Sequence, residues 1–122
     1  MKTSEIKFTV TLDDNKVPQK IDWHASDAHK ASTSKAIMVS VWDAEANNTL
    51  RIDLWTKDMM VDEMKQFYHQ SLLSMADTFE RATSEKEAAQ AMRNFAQEFG
   101  VRMNLVMENK FAGMGEITDP NC

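Results

Sequence analysis

The sequence predicts an α+β fold: a four-stranded antiparallel sheet (two hairpins) followed by two helices packed on one face. Two observations carry this expectation. Apolar residues recur at every second position within four segments (6–12, 20–25, 35–43 and 49–56), and after Lys57 the period lengthens to between three and four. With 122 residues, 43% of them apolar and 27% charged, and with only three Gly and two Pro, the chain reads as one globular domain over residues 1–110. Residues 111–122 (FAGMGEITDPNC) keep no period and read as a flexible C-terminal tail.

In the first strand Ile6, Phe8, Val10 and Leu12 alternate with Lys7, Thr9 and Thr11, the pattern of a strand wet on one face. Asp13, Asp14 and Asn15 mark a turn, and Pro18 suits an edge or turn position. A second strand follows at Lys20 to Ala25, with Ile21, Trp23 and Ala25 on one side. The small polar run from Ser26 to Ser34 reads as the longest internal loop. Lys35 to Asp43 and Thr49 to Thr56 flank a short link containing Asn47 and Asn48, which reads as a hairpin. An even-numbered link sets Ile37, Val39 and Val41 on one face with Leu50, Ile52 and Leu54. The opposite face then carries Met38, Ser40 and Trp42 beside Arg51, Asp53 and Trp55.

Beyond Lys57, a stripe of Val61, Met64, Tyr68, Leu72, Met75, Phe79 and Ala82 predicts a helix of about six turns, with Asp58, Asp62 and Glu63 near its N-terminal end. Thr83 and Ser84 interrupt it. Ser84 with Glu87 forms a capping-box pattern, and Ala88, Met92, Phe95, Phe99, Met103 and Val106 define a second stripe. Gly100 within that stripe costs about 1 kcal/mol against Ala and marks a site for a kink or an early end.

The net charge of −5 is unevenly spread. Residues 1–57 carry eight basic and eight acidic side chains, whereas 58–122 carry six and eleven. No basic face is available for nucleic acid or an anionic bilayer, and no apolar run is long enough for membrane insertion. The single cysteine, Cys122, is the last residue, so no intramolecular disulfide or thiolate zinc site forms. The N-terminal stretch turns polar at Thr3, Ser4 and Glu5 and lacks a signal-peptide core, so a cytoplasmic location is expected, or a periplasmic one if a leader has been removed.

Three clusters are candidates for chemistry. His24, Asp27 and His29 could ligate a metal, but their spacing matches no defined zinc motif, and they are read as solvated loop residues. Asp62, Glu63 and His69 offer an acid and a base, and are read as a solvated helix face with a capping carboxylate. No nucleophile motif and no Gly-rich phosphate loop is present, so neither enzymatic activity nor a cofactor or metal is expected. The third cluster is a protein-binding surface: Met38, Trp42, Arg51 and Trp55 on the hairpin, with Met59 and Met60 at the strand-to-helix junction. Lys7, Thr9, Asp22 and His24 from the first two strands are expected to extend that face. Its occupant is a second chain or another protein. The competing arrangement has Arg51 stacked on an indole and the loop 26–34 folded over the rest. Four of the ten methionines, Met64, Met75, Met92 and Met103, fall on the helical stripes and read as packing.

Four stretches, TSEIKF at 3–8, NKVPQKIDW at 15–23, KAIMVSVWD at 35–43 and LRIDLWTKDMMVDEMKQFYHQSLLSMADTFERAT at 50–83, resemble the gliding motility-associated GldC family of the Bacteroidetes, with the similarity running over about residues 3–107. The family tends to have Pro where Met60 stands. The resemblance implies a small accessory or adaptor protein of gliding motility and of the linked type IX secretion machinery, acting through protein contacts, and it supplies no catalytic or ligand residue; self-association is a further expectation, attached to the hairpin's outer face. The order of four strands and two helices also resembles the export chaperone SecB, which implies a holdase for exported proteins as the alternative.

Overall fold

The computed structural model describes residues 1–27, 30–106, 113–114 and 117–119, and comprises two compact units, Met1–Met60 and Val61–Cys122. Most of the stretch 111–122, expected to be a tail, lies outside the described residues, as do His29 and Cys122. Within that stretch Gly113–Met114 pairs antiparallel with Ile117–Asp119.

The first unit holds five strands: β1 (Ile6–Leu12), β2 (Pro18–Ala25), β3 (Lys30–Ser34), β4 (Ala36–Asp43) and β5 (Asn48–Trp55). They form two antiparallel sheets, β1-β2-β3 and β4-β5, so the expected single four-stranded sheet is corrected to one of three strands and one of two. The additional strand is β3, which occupies part of the predicted loop 26–34. Its sequence, KASTS, has no apolar–polar contrast, so period-two patterning could not reveal it. Pairing with β2 makes it a strand: Ile21 stands opposite Ser34, Trp23 opposite Ser32 and His24 opposite Ala31.

β3 runs into β4 through a single bend residue, Lys35. Before the bend, Ser32 and Ser34 accompany the apolar side of the sheet with Trp23 and Ile21; after it, the apolar side chains are Ile37, Val39 and Val41. The apolar side therefore switches from even to odd positions, and an interruption of the pleat at Lys35 is what such a switch requires. The Thr56 amide donates to the Lys35 carbonyl at 2.8 Å, closing the end of β5 onto the bend. Buried side chains cluster in sequence around this corner: Ile21, opposite Ser34, has no exposure at all, and Ile37 and Thr56 are also buried. The hydroxyls of Ser34 and Thr56 are both buried there without a hydrogen-bond partner.

The β1–β2 turn is locked by Asp13. Its Oδ1 accepts from the amides of Asn15 (2.8 Å) and Val17 (3.0 Å), which permits the left-handed Lys16 (φ 63°). Its Oδ2 lies 2.5 Å from Nζ of Lys57, just past β5. The β4–β5 hairpin has the expected even link, Ala44–Asn47, with Asn47 left-handed (φ 52°) and Asp43 accepting from the Ala46 and Asn47 amides.

The second unit contains α1 (Val61–Thr83) and α2 (Lys86–Arg102), an antiparallel hairpin joined through Ser84 and Glu85. Left-handed Ser84 (φ 62°) makes the turn, so its side chain caps nothing; α2 starts after Glu85 without a side-chain cap, and the expected capping box is absent. Instead Thr83 Oγ1 accepts from the Glu85 amide at 3.1 Å. The buried residues of the pair are small: Ala76 on α1, and Ala89, Ala96 and Gly100 on α2. A Cβ at Gly100 would lie 2.9 Å from His69 Nε2 and 2.9 Å from Val106 Cγ2, so α2 passes through Gly100 unbroken because that position must be bare. Arg93 bridges the helices to Asp77 (2.9 Å) and Glu80 (2.8 Å).

The expected stripes are present but do not form the seam. At 100° per residue, Tyr68, Leu72, Met75 and Phe79 lie 40–100° to one side of the Ala76 line, and Met92, Phe95 and Phe99 lie equally to the same side of the Ala96 line. In an antiparallel pair these two offsets fall on one side of the hairpin. Tyr68, Met75 and Phe95 are exposed, and Phe95 and Phe99 stack at 6.5 Å.

Two tests follow from these packings. Hydrogen bonding from Lys57 and from the Val17 amide holds the Asp13 carboxyl below its ordinary pKa. A carboxylate so depressed contributes stability above the unfolded value of about 3.9 and loses it as pH falls through the lower folded value. Asp13→Asn is therefore expected to unfold more readily in urea at pH 7, with the gap to wild type closing below about pH 4; a gap independent of pH would remove the charge from the account. Gly100→Ala gains about 1 kcal/mol of helix propensity but must displace His69 or Val106. It is expected to be destabilising by about 1 kcal/mol net, and clearly less so in a His69→Ala background, as read by thermal denaturation of the four variants.

Candidate protein-binding site

The hairpin β4–β5 builds the candidate surface by register alone. Ile37 faces Leu54, Val39 faces Ile52 and Val41 faces Leu50 on one side, as the alternation predicts. On the other side Ala36 faces Trp55, Met38 faces Asp53, Ser40 faces Arg51 and Trp42 faces Thr49. Trp42 and Trp55 thus share a face but stand at its opposite ends, six residues apart along the ladder, which is roughly 20 Å. Both are open to solvent, at 66% and 58% of full exposure.

Between them lies a polar centre. Arg51 donates through Nε and an Nη to the two carboxylate oxygens of Asp53, at 3.2 and 2.9 Å, and through the other Nη to Ser40 Oγ. Pairing in a fork against Asp53 fixes the guanidinium plane in one orientation. The face is two aromatic anchors around an ordered charge pair, and Trp, Met and Arg are the residue types enriched at protein interfaces. Met59 is half-buried in the turn after β5, where its amide donates to the Thr56 carbonyl at 3.1 Å, and Met60 is exposed.

Lys7, Thr9, Asp22 and His24 do not extend this face as expected, because they belong to the three-stranded sheet. Together with Lys20 and Thr33 they line a shallow concavity of about 430 Å³. Asp22 accepts from Thr33 Oγ1 at 3.1 Å and pairs with Lys20 at 3.6 Å, so its charge is answered within the sheet. Of the three residues weighed as metal ligands, His24 stands on β2 between Lys7 and Ala31, Asp27 accepts from Ser4 Oγ at 2.5 Å, and His29 lies outside the described residues. Among the described residues no group of three His, Cys, Asp or Glu is placed to hold a metal ion. Asp62 and His69 do not form an acid–base pair either: Asp62 is exposed and reaches Lys65 at 3.9 Å, while His69 lies in the helix seam against Gly100.

The model of the gliding motility-associated GldC-like family matches residues 18–105. The chain belongs to that family. The matched span begins at Pro18 and includes β2 to β5 and both helices, so every residue of the candidate surface lies inside the GldC-like region. Membership associates the protein with gliding motility. No curated protein and no solved structure matches the chain. Among the described residues, no helix is long and apolar enough to cross a membrane.

The geometry separates the three tryptophans. Trp23, half-buried on the middle strand β2, should be several-fold less accessible than Trp42 or Trp55 to a dissolved quencher. Single-tryptophan variants measured with iodide and acrylamide check this, and equal quenching of all three would contradict the placement of the aromatic face.

Proposed function

We propose that this GldC-like protein is a non-enzymatic accessory or adaptor of the gliding apparatus and of the type IX secretion machinery linked to it, working in the cytoplasm through contacts with other proteins. The observation that carries the reading is the outer face of β4–β5, where Trp42 and Trp55 stand exposed on either side of the Arg51–Asp53 pair. A face of this kind supplies two large anchors that lose little side-chain entropy on docking, and a charged centre that fixes orientation. Met38, on the same face, and Met59 and Met60, in the segment that follows, add adaptable thioethers.

A holdase role for exported proteins is the second reading, and the exposed row of Val41, Leu50 and Ile52 on the opposite face of the hairpin favours it, since an unfolded client offers apolar segments without fixed charge placement. The two readings differ in what they require of the tryptophans. Trp42→Ser combined with Trp55→Ser should abolish recovery of a discrete set of partners from native cells, and should fail to restore colony spreading to a deletion strain, while circular dichroism stays that of the wild type. A chaperone would instead retain much of its suppression of client aggregation through the Val41, Leu50 and Ile52 row. Full complementation of spreading by the double variant would dismiss the adaptor surface.

A further inference from the structure

The strand β5 has one edge bonded to β4, and its other edge belongs to no ladder among the described residues. It is also sparsely covered by its surroundings: Asn48 to Asp53 are all exposed, with Ile52 at 56%, whereas β4 buries Ile37. Exposed edges are ordinarily blunted by a bulge, a proline or a lysine. The sequence NTLRIDLW has none of these, and its pairing with β4 is regular throughout.

We propose that a second copy of this chain pairs with that edge, β5 against β5 in antiparallel register about Ile52, joining two hairpins into one four-stranded sheet. The sequence is self-complementary in this register. Ile52 meets Ile52 of the second copy on the two-fold axis, and Leu50 meets Leu54, so one face is continuously apolar. On the other face Arg51 meets Asp53 of the second copy, twice by symmetry, and Thr49 meets Trp55. Neighbouring registers lose this. Shifting the pair sum by two sets Arg51 against Arg51, or Asp53 against Asp53, and like charges directly opposite are destabilising. A shift of one sets Ile52 against a charged residue and so mixes the two faces. The Arg51–Asp53 contact within each copy becomes part of a four-charge array across the axis, with each side chain keeping its own partner. This inference goes beyond the adaptor reading, because the pairing uses the backbone edge of β5 and leaves the faces of the hairpin, with Trp42 and Trp55, able to meet other proteins.

The experiment is sedimentation equilibrium of the full chain and its charge variants over a range of concentrations. Wild type should reach a mass of two chains. Arg51→Asp and Asp53→Arg, each alone, should weaken the dimer by about tenfold or more, since each sets two like-charge pairs across the axis. The double variant R51D/D53R should restore it and should not exchange subunits with wild type, because like charges meet in the hybrid. In a Cys122→Ser background, a short bis-maleimide should link Ile52→Cys to itself and leave Thr49→Cys unlinked. A single-chain mass at every concentration would overturn the proposal, as would a dimer indifferent to both single variants. A wild-type chain that stays single while its partners are still recovered would refute the pairing and leave the adaptor reading intact.

Discussion

The hydrogen bond from the Thr56 amide to the Lys35 carbonyl sits where the first unit is decided. Lys35 is the only residue between two strands that pair with different neighbours, β2 before it and β5 after it. Closing the end of β5 onto this bend fixes where the second ladder begins, and the Asp13–Lys57 ion pair ties the β1–β2 turn to the next residue along. The two buried hydroxyls, on Ser34 and Thr56, lie in sequence on either side of the same bond and have no partner of their own. Leaving such groups unpaired costs about 1–3 kcal/mol each, so the corner is held by backbone pairing and by burial of Ile21 and Ile37 against a local polar cost. The position of the hairpin, and therefore of its aromatic face, depends on this corner.

In the helical unit the governing constraint is the size of the residues in the seam. The buried positions are Ala76, Ala89, Ala96 and Gly100, and at Gly100 even a Cβ would lie 2.9 Å from His69. Tyr68, Met75 and Phe95 are displaced to one side of the pair. The methionine excess of the sequence, attributed to packing, is thus only partly interior: Met64, Met92 and Met103 are half-buried, while Met75 is exposed. His69 belongs to this seam as a packing residue, its ring filling the space that Gly100 leaves open.

How much of this was legible depended on which physical signal each element carries. The hairpin β4–β5 was readable because both strands alternate strongly, so their register and the division of residues between faces followed from period and loop parity. Both helices were readable for the same reason at their own period. β3 was not, because Ala31, Ser32, Thr33 and Ser34 differ too little in polarity to show a period, and its strand conformation comes from β2. The seam of α1 and α2 was also hidden: hydrophobic pattern ranks residues by apolar size, whereas close helix approach selects alanine and glycine. Ser84 illustrates a competing local preference, since the residue that could have capped α2 is used instead as the left-handed hinge before it. At the candidate site, membership of Trp42, Trp55, Met38 and Arg51 in one face was legible, but the separation of the two indoles to opposite ends required the register, and the link from Arg51 to Ser40 required the side-chain geometry.

The contrast between the two sheets bears on which surface of the first unit is suited to association. The outer strand β1 carries Lys7 and Thr9 among its apolar residues, and its pairing with β2 shifts at Thr11–Leu12, next to Pro18, so its ladder ends in an irregularity that twists the edge. The strand β3 is short and polar. Both edges of the larger sheet thus have features that discourage a further strand. On β5 the charged residues Arg51 and Asp53 are of opposite sign, lie on one face and straddle Ile52. A single charge at an edge repels any copy of itself, but an opposite pair spaced by two residues repels in some registers and attracts in one. That arrangement restricts pairing to a defined geometry while leaving the edge open, which is the property expected of a strand that associates selectively.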